Sequence, residues 1–404
     1  MVRQWVTPNP DAPANETEAE SVQGRWRNVI ANADINAERR AQLEALGYVG
    51  ATQEAPPAKG VTVHDPSLAH EGLNLFTSGH AGKAYLMTMD GDIVHQWARD
   101  FNEIWPDRTW NPQSPYNDYW GRVHLDRDGN IIALYEKAGI FKLDKNSNVL
   151  WANDCSAHHD IAVLPDGRIL TLTTELHDFP ESDKGDQIQE EFVTVLGADG
   201  AIIERHSLLE MLANSPYAPA LRYHESGDIL HTNTLELLPD WADDHGPVFA
   251  EGRLLTCFRN LDLISVIDMK SWKLVWALGG MWRWPHQPTL LRNGNILIYD
   301  NLGLDGDSRV FEFDPYTQAV HWTFGNQPGQ RLDSPTHGAA TRLPNGNTLI
   351  TESDKGHAIE ITEAGEVAWK FYSPHRAGEH DELVPTIPEM VRIPYEYVSG
   401  WLDE

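Results

Sequence analysis

One feature limits what this chain can fold into more than any other: two kinds of short hairpin alternate from about Val61 onward. The first kind is an apolar run, a turn, and a second run that usually ends in Trp. Its copies begin at Tyr85, Phe141, Phe192, Ile264, Val310 and Ala358, and they end at Trp97, Trp151, His206, Trp276, Trp322 and Trp369. Their starts lie 46 to 72 residues apart. That matches the roughly 40 to 50 residues of a four-stranded propeller blade, with an insertion in the third interval.

The second kind is centred on a turn glycine: Gly129, Gly167, Gly252, Gly294 and Gly346. Asp-Gly and Asn-Gly between alternating runs are hairpin signals, because their backbones enter the left-handed region at low cost. Only five copies are clear, so one blade lacks an inner pair. Val391 to Val398 together with Val61 to Phe76 are expected to supply it and close the ring, which removes exposed sheet edges. The fold expected is therefore all-β: a six-bladed β-propeller over residues 61–404. A short polar extension over residues 1–60 precedes it, with one helix-like run near Asn36 to Leu46 and a Pro/Ala-rich linker from Ala55 to Gly60.

Charge narrows the choice of partners. Sixty acidic against 31 basic residues give a formal net charge of -29, which disfavours nucleic acid and anionic membranes as partners of the surface as a whole. No run approaches the roughly 20 apolar residues of a membrane helix. Residues 1–60 lack the basic start and apolar core of a secretory signal. Cys155 and Cys257 are the only cysteines, and their spacing does not decide whether they pair.

The innermost strand of each blade lines the channel, so residues just before these strands converge at one mouth. Counting back from the turn glycines, His158 and His159 lie nine and eight residues before Gly167, His286 eight before Gly294, and His337 nine before Gly346. His231, in His231-Thr-Asn233, leads into the first strand of the blade that carries the insertion. Eighteen His in 404 residues would place one at a given position about once in twenty, so the recurrence points to a shared role. Asp160, Asn233, Gln287 and Thr336 beside them suit a wet polar pocket. Strand ends on the same side add Arg259-Asn260, Asp300-Asn301 and Glu352-Ser353. Arginine's planar fork of donors fits a tetrahedral oxyanion; a surface ion pair of Arg259 with Asp262 is the plainer alternative.

Such a set could bind a metal, with Asp160 orienting the rings, or bind an anion and use one imidazole as nucleophile or base. Strand alternation would point His158 and His159 to opposite faces, which weakens the metal option.

At these residues the chain resembles the bacterial arylsulfate sulfotransferases. The likeness runs from about Gly60 to Pro374. It is strongest in His158 to Arg168, in Trp284 to Asn301, and in Ser334 to Ser353, with a further block from Gly72 to Trp97 that includes His80. The resemblance implies a ping-pong reaction, free of cofactor and metal, in which a channel histidine takes a sulfuryl group from an aryl sulfate and passes it to a phenol. By motif His286 matches the nucleophile. His231, Asn233 and Arg259 match the groups that hold the sulfate oxygens, and His158 matches a further donor, favoured over His159 on its register with His337. His159, His337, Thr336 and Asn301 join the expected substrate-binding set. Trp105, Trp110, Trp120, Trp282 and Trp284 could supply an aromatic wall. The family setting is periplasmic or otherwise extracytoplasmic. The competing readings are a metal-assisted lyase or hydrolase, and a non-catalytic propeller that binds a ligand or partner; a homo-oligomer is compatible with each.

Overall fold

The computed structural model describes residues 53–108, 119–178, 187–222, 227–303, 306–325, 327, 329–378 and 380–402. The helix-like run near Asn36 and Trp110 lie outside the described residues. Six sheets, each with four antiparallel strands ordered from the channel outward, form the blades of a six-bladed β-propeller, and Gly227–Asp228 adds a short parallel strand to blade 3. Blades 2 to 6 begin with the strands Trp120–Leu125, Ala157–Val163, Glu236–Leu237, Pro285–Leu290 and Ala339–Arg342.

Each blade grades from apolar to half-wet along its width. Second strands such as Ile131–Tyr135 and Thr348–Glu352 are buried throughout, although that of blade 3, Ile169–Asp178, runs out into solvent at its end. An outer strand such as Val149–Asn153 leaves Val149, Leu150 and Ala152 exposed. The core is accordingly divided into wedges between neighbouring blades. Leu75, Leu86 and Trp97 of blade 1 pack with Ala133 and Phe141 of blade 2, and Leu255 and Ile264 of blade 4 pack with Ile296 and Phe311 of blade 5.

The recurring terminal Trp is explained by this arrangement. The indole N–H of Trp97 donates to Gly129 O of blade 2 at 3.0 Å, that of Trp322 to Glu363 O of blade 6 at 3.0 Å, and that of Trp369 to Met89 O of blade 1 at 2.8 Å. Each of these three outer strands is thus docked on a turn of the next blade, which buries large aromatic surface while giving these indole N–H groups a partner.

Closure departs from the expectation in two places. Met390–Ile393 pairs with Leu73–Ser78 and supplies the innermost strand of blade 1. Gly60–His64 does not join that pair; it adds a fifth, outermost strand to blade 6 by pairing with Val367–Tyr372. Tyr395–Val398 is a helical turn rather than more strand. Both chain ends therefore hold the ring, at different radii. The linker takes part as well: Gln53–Glu54 pairs with Leu383–Val384, and Arg376 donates to Pro56 O at 2.7 Å. A buried ion pair ties the closing strand to blade 6, with Arg392 3.0 Å from Glu360. Glu360 also accepts from Asn347 at 2.7 Å and from His70 N at 2.6 Å. Both cysteines are free thiols.

Candidate active site

Blades 2 to 6 and the segment before the closing strand contribute to one cavity at the channel mouth. Its lining includes Arg122 and Glu136 of blade 2, His159 of blade 3, Asn233 of blade 4, His286 and Gln287 of blade 5, His337 and Gly338 of blade 6, and Pro388 beside the closing strand. Its enclosed volume is about 40 Å³, and about 460 Å³ of space lies between the walls when the open mouth is counted.

His286 opens the inner strand of blade 5. Gln287 after it sits at φ 42°, and the strand register shifts between His286 and Thr289. This bulge turns the imidazole toward the channel instead of the sheet face. Its Nδ1 lies 2.7 Å from Asn301 Oδ1 and 3.1 Å from Trp284 O. The Asn301 amide is itself fixed, because its Nδ2 donates to Ser334 O at 2.6 Å and to His337 O at 2.8 Å. Both acceptors facing His286 are oxygens, so Nδ1 must carry the proton and Nε2 the lone pair. That Nε2 is buried without a hydrogen-bond partner. Burial first, then the charges of Arg259 and His337, hold the ring well below the usual histidine pKa, so it is neutral at pH 7.

The other histidines are also pinned through Nδ1. His231, at φ 52°, bonds Asp228 through Nδ1, and burial, reinforced by Arg259, pushes its pKa down to about 4. Thr336 donates to Asp354 Oδ1 at 2.6 Å, so its oxygen accepts from His337 Nδ1 at 2.8 Å. Thr336 is therefore an orienting group behind His337 rather than a wall residue.

The adjacent pair on blade 3 departs from simple alternation. His159 sits at φ 60° within a register shift between His158 and Ile161. The rings meet edge-on instead of diverging, with their Nδ1 atoms 2.6 Å apart. His159 lines the cavity, whereas His158 is completely buried behind it, its Nε2 3.9 Å from Glu191. The register argument that favoured His158 fails because the bulge intervenes.

Asn233 reaches the cavity wall, its amide donating to Pro285 O at 3.3 Å. Arg259 lies over the Trp284 ring at 4.4 Å, and its positive charge bears on His231, His286 and Asp228. Asp262 accepts from Trp284 N at 2.6 Å. Asp160 is a tie between blades, accepting from Arg122 at 2.8 Å and from Leu235 N at 2.7 Å. Trp105 and Trp120 pack in the wedge between blades 1 and 2, and Trp282 in that between blades 4 and 5. Only Trp284 of the described candidates stands at the site.

Sequence reading missed Arg122, Glu136, Lys137 and Asp228. Glu136-Lys137 follow the second strand of blade 2, the corner that Arg259 and Asn301 occupy in blades 4 and 5. Glu136 lies seven residues after Gly129, as Arg259 does after Gly252 and Asn301 after Gly294, so counting forward from the turn glycines would have found this pair.

The buried groups predict a pH optimum of stability. Burial raises Glu136 and Asp262 to about 7, and Glu191 and Glu236 to about 8. Their unfolded forms ionise near 4.5 or below, so they cost stability progressively as pH rises to about 8. His158, lowered to about 3, and His231, lowered to about 4, cost stability as pH falls below 6.5. Above pH 6.5 only the carboxyl effect remains. The melting temperature is expected to be higher at pH 7 than at pH 8.5, and a scanning-fluorimetry profile that rises over that interval would refute this.

A family model described as arylsulfotransferase (ASST) matches residues 120–374. The chain belongs to the arylsulfotransferase family. That match spans blades 2 to 6 and includes every cavity residue named above except Pro388. No curated protein matches the chain. Among solved structures, a protein of unknown function from Bacteroides caccae is similar at 13% identity, with 80% of this chain and 99% of that one covered and a TM-score of 0.52; it shows the shared propeller fold alone. A propeller domain of Cps50 from Myceliophteria thermophila (11% identity, 84% and 99% covered, TM-score 0.46) also matches. So does a catalytically inactive virginiamycin B lyase from Staphylococcus aureus with quinupristin (13%, 78% and 84%, 0.42). Among the described residues, no three His, Cys, Asp or Glu side chains form a set that could hold a metal ion, and no helix is long and apolar enough to cross a membrane.

Proposed function

We propose that the cavity transfers a sulfuryl group from an aryl sulfate to a phenolic acceptor through a transient sulfohistidine on His286. The observation that carries this reading is the buried, neutral imidazole whose Nδ1–H is held by Asn301 while its Nε2 has no partner. A nucleophile needs an available lone pair in a fixed direction, and it is weakened by protonation; here both conditions are met.

In the first half-reaction His286 Nε2 bonds the sulfur as the S–O bond to the aryl group breaks. Nδ1 keeps its proton, and the positive charge that the ring gains is shared with Asn301 Oδ1. The transferring group spreads negative charge over three oxygens, which fixed donors stabilise without reorganising. Asn233 and His159 on the wall, with the positive charges of Arg122 and Arg259 nearby, are the groups we assign to that task. In the second half-reaction an acceptor phenol attacks the sulfur and restores the neutral imidazole.

Intact mass spectrometry after mixing with 4-nitrophenyl sulfate tests the reading directly. A labile gain of about 80 Da, one sulfuryl group on a nucleophilic side chain, should appear without acceptor and vanish on adding phenol. Folded protein that releases nitrophenolate without any adduct would overturn the covalent route.

Asn301→Leu keeps the volume near His286 and removes the tautomer anchor. It is expected to lower kcat by about 100-fold, the scale of losing one preorganised polar contact, with KM little changed. Steady-state nitrophenolate release measures it.

A further inference from the structure

The sulfohistidine chemistry leaves one proton unaccounted for. A phenol that departs from sulfur needs a proton on its oxygen, and an acceptor phenol must lose one. The channel imidazoles are poorly placed to supply it, since the Nδ1–H groups of His286, His231 and His337 point to Asn301, Asp228 and Thr336. His159 Nδ1 faces His158.

We infer that Glu136 is the proton donor to the departing phenol and the proton acceptor from the incoming one. Its side chain ends the second strand of blade 2 and lines the same cavity as His286. Backbone fixes it there: both carboxyl oxygens lie within reach of His159 N–H, at 3.1 and 3.2 Å. The neighbouring strand makes room for it, since a Cβ at Gly121 would fall 2.3 Å from Oε1. The groups that face it are Arg122 and Lys137, which favour its ionised form, Asp160, which opposes ionisation, and His159, whose Nδ1 is 3.9 Å away. Burial is the largest influence and raises the carboxyl to about 7, where acid and base forms are both available at neutral pH.

The steps balance. His286 Nε2 takes the sulfur, the S–O bond breaks, and the Glu136 proton passes to the phenolate oxygen, leaving carboxylate and sulfohistidine. The acceptor then gives its proton to that carboxylate as its oxygen bonds the sulfur, and His286 leaves neutral. The inference rests on the sulfohistidine reading, and the experiment separates the two.

Glu136→Gln preserves size and an acceptor for His159 N–H. With phenyl sulfate, whose leaving group has a pKa near that of Tyr, about 10, kcat/KM is expected to fall about 10² to 10³-fold. With 4-nitrophenyl sulfate, whose phenolate leaves unassisted, the loss should be under about 5-fold, and the mass adduct should persist. Gly121→Ala, which displaces the carboxyl without removing it, should reproduce the selectivity. In the wild type, kcat/KM for phenyl sulfate should decline above about pH 7 as the acid form is lost, and the Gln variant should lack that limb. Equal losses for both donors, or an unchanged pH profile in the variant, would overturn the role of Glu136. Absence of the adduct in wild type would instead remove the nucleophile reading on which it rests.

Discussion

His286→Ala is expected to lower sulfuryl transfer from 4-nitrophenyl sulfate to phenol by at least about 10⁴-fold, the scale of removing a covalent nucleophile. The expectation follows from geometry rather than from the presence of a histidine. Among the channel imidazoles, His286 combines a place on the cavity wall, an Nδ1–H fixed by an amide that is itself fixed, and a buried Nε2 without a partner. The variant should leave the fold intact, because the side chain borders an open cavity and the strand pairing of Pro285 with Asp300 is made by backbone. Nitrophenolate release and intact mass, with the melting temperature as a fold control, make the measurement. Transfer within about tenfold of wild type, from folded protein, would mean that another group bonds the sulfur.

Glu360→Ala is expected to destabilise the protein by about 3 to 5 kcal/mol, because it leaves a buried guanidinium without its carboxylate. Arg392 and Glu360 have side chains 1% and 0% exposed. The cost should show in the midpoint of denaturant unfolding. Arg392→Met combined with Glu360→Leu removes both charges and should recover much of that loss, since paired burial gives little net gain over apolar packing. An additive double variant would contradict this account. The pair also reports on ring closure, because Arg392 sits on the strand that completes blade 1 while Glu360 belongs to blade 6.

The blade plan was legible because turn chemistry and hairpin period are local signals. Gly294 at φ 86° and Gly346 at φ 91° occupy the left-handed turn positions their Asn-Gly dipeptides require, and the terminal Trp marks the outer strand. What could not be read was the partner of a strand remote in sequence. Gly60–His64 and Leu73–Ser78 are similar apolar runs, and only the path of the chain between them sends one to the rim of blade 6 and the other to blade 1.

The site was legible where it lay on the repeat. His286 and His337 were found by counting from turns and Asn233 by its place beside His231 ahead of an inner strand, and all three reach the cavity. The order of His158 and His159 was not, because a single left-handed residue changes which side chain faces the channel. Arg122 and Glu136 escaped notice because their blade carries no histidine at the shared position, so the repeat drew no attention to them. The Nδ1 partner Asp228 ends a short strand outside the repeat and no spacing rule announces it, whereas Asp354 directly follows the strand end Glu352-Ser353.

The pairing of Met390–Ile393 with Leu73–Ser78 joins segments more than 300 residues apart. Contacts of such long sequence separation form late, since loop-closure entropy must be met before they contribute. Glu389, next to that strand, holds Arg122 and Gln287 on opposite sides of the channel. Catalytic competence therefore becomes a timer for the final step of refolding: blades with native fluorescence or circular dichroism would remain inert until the last strand docks.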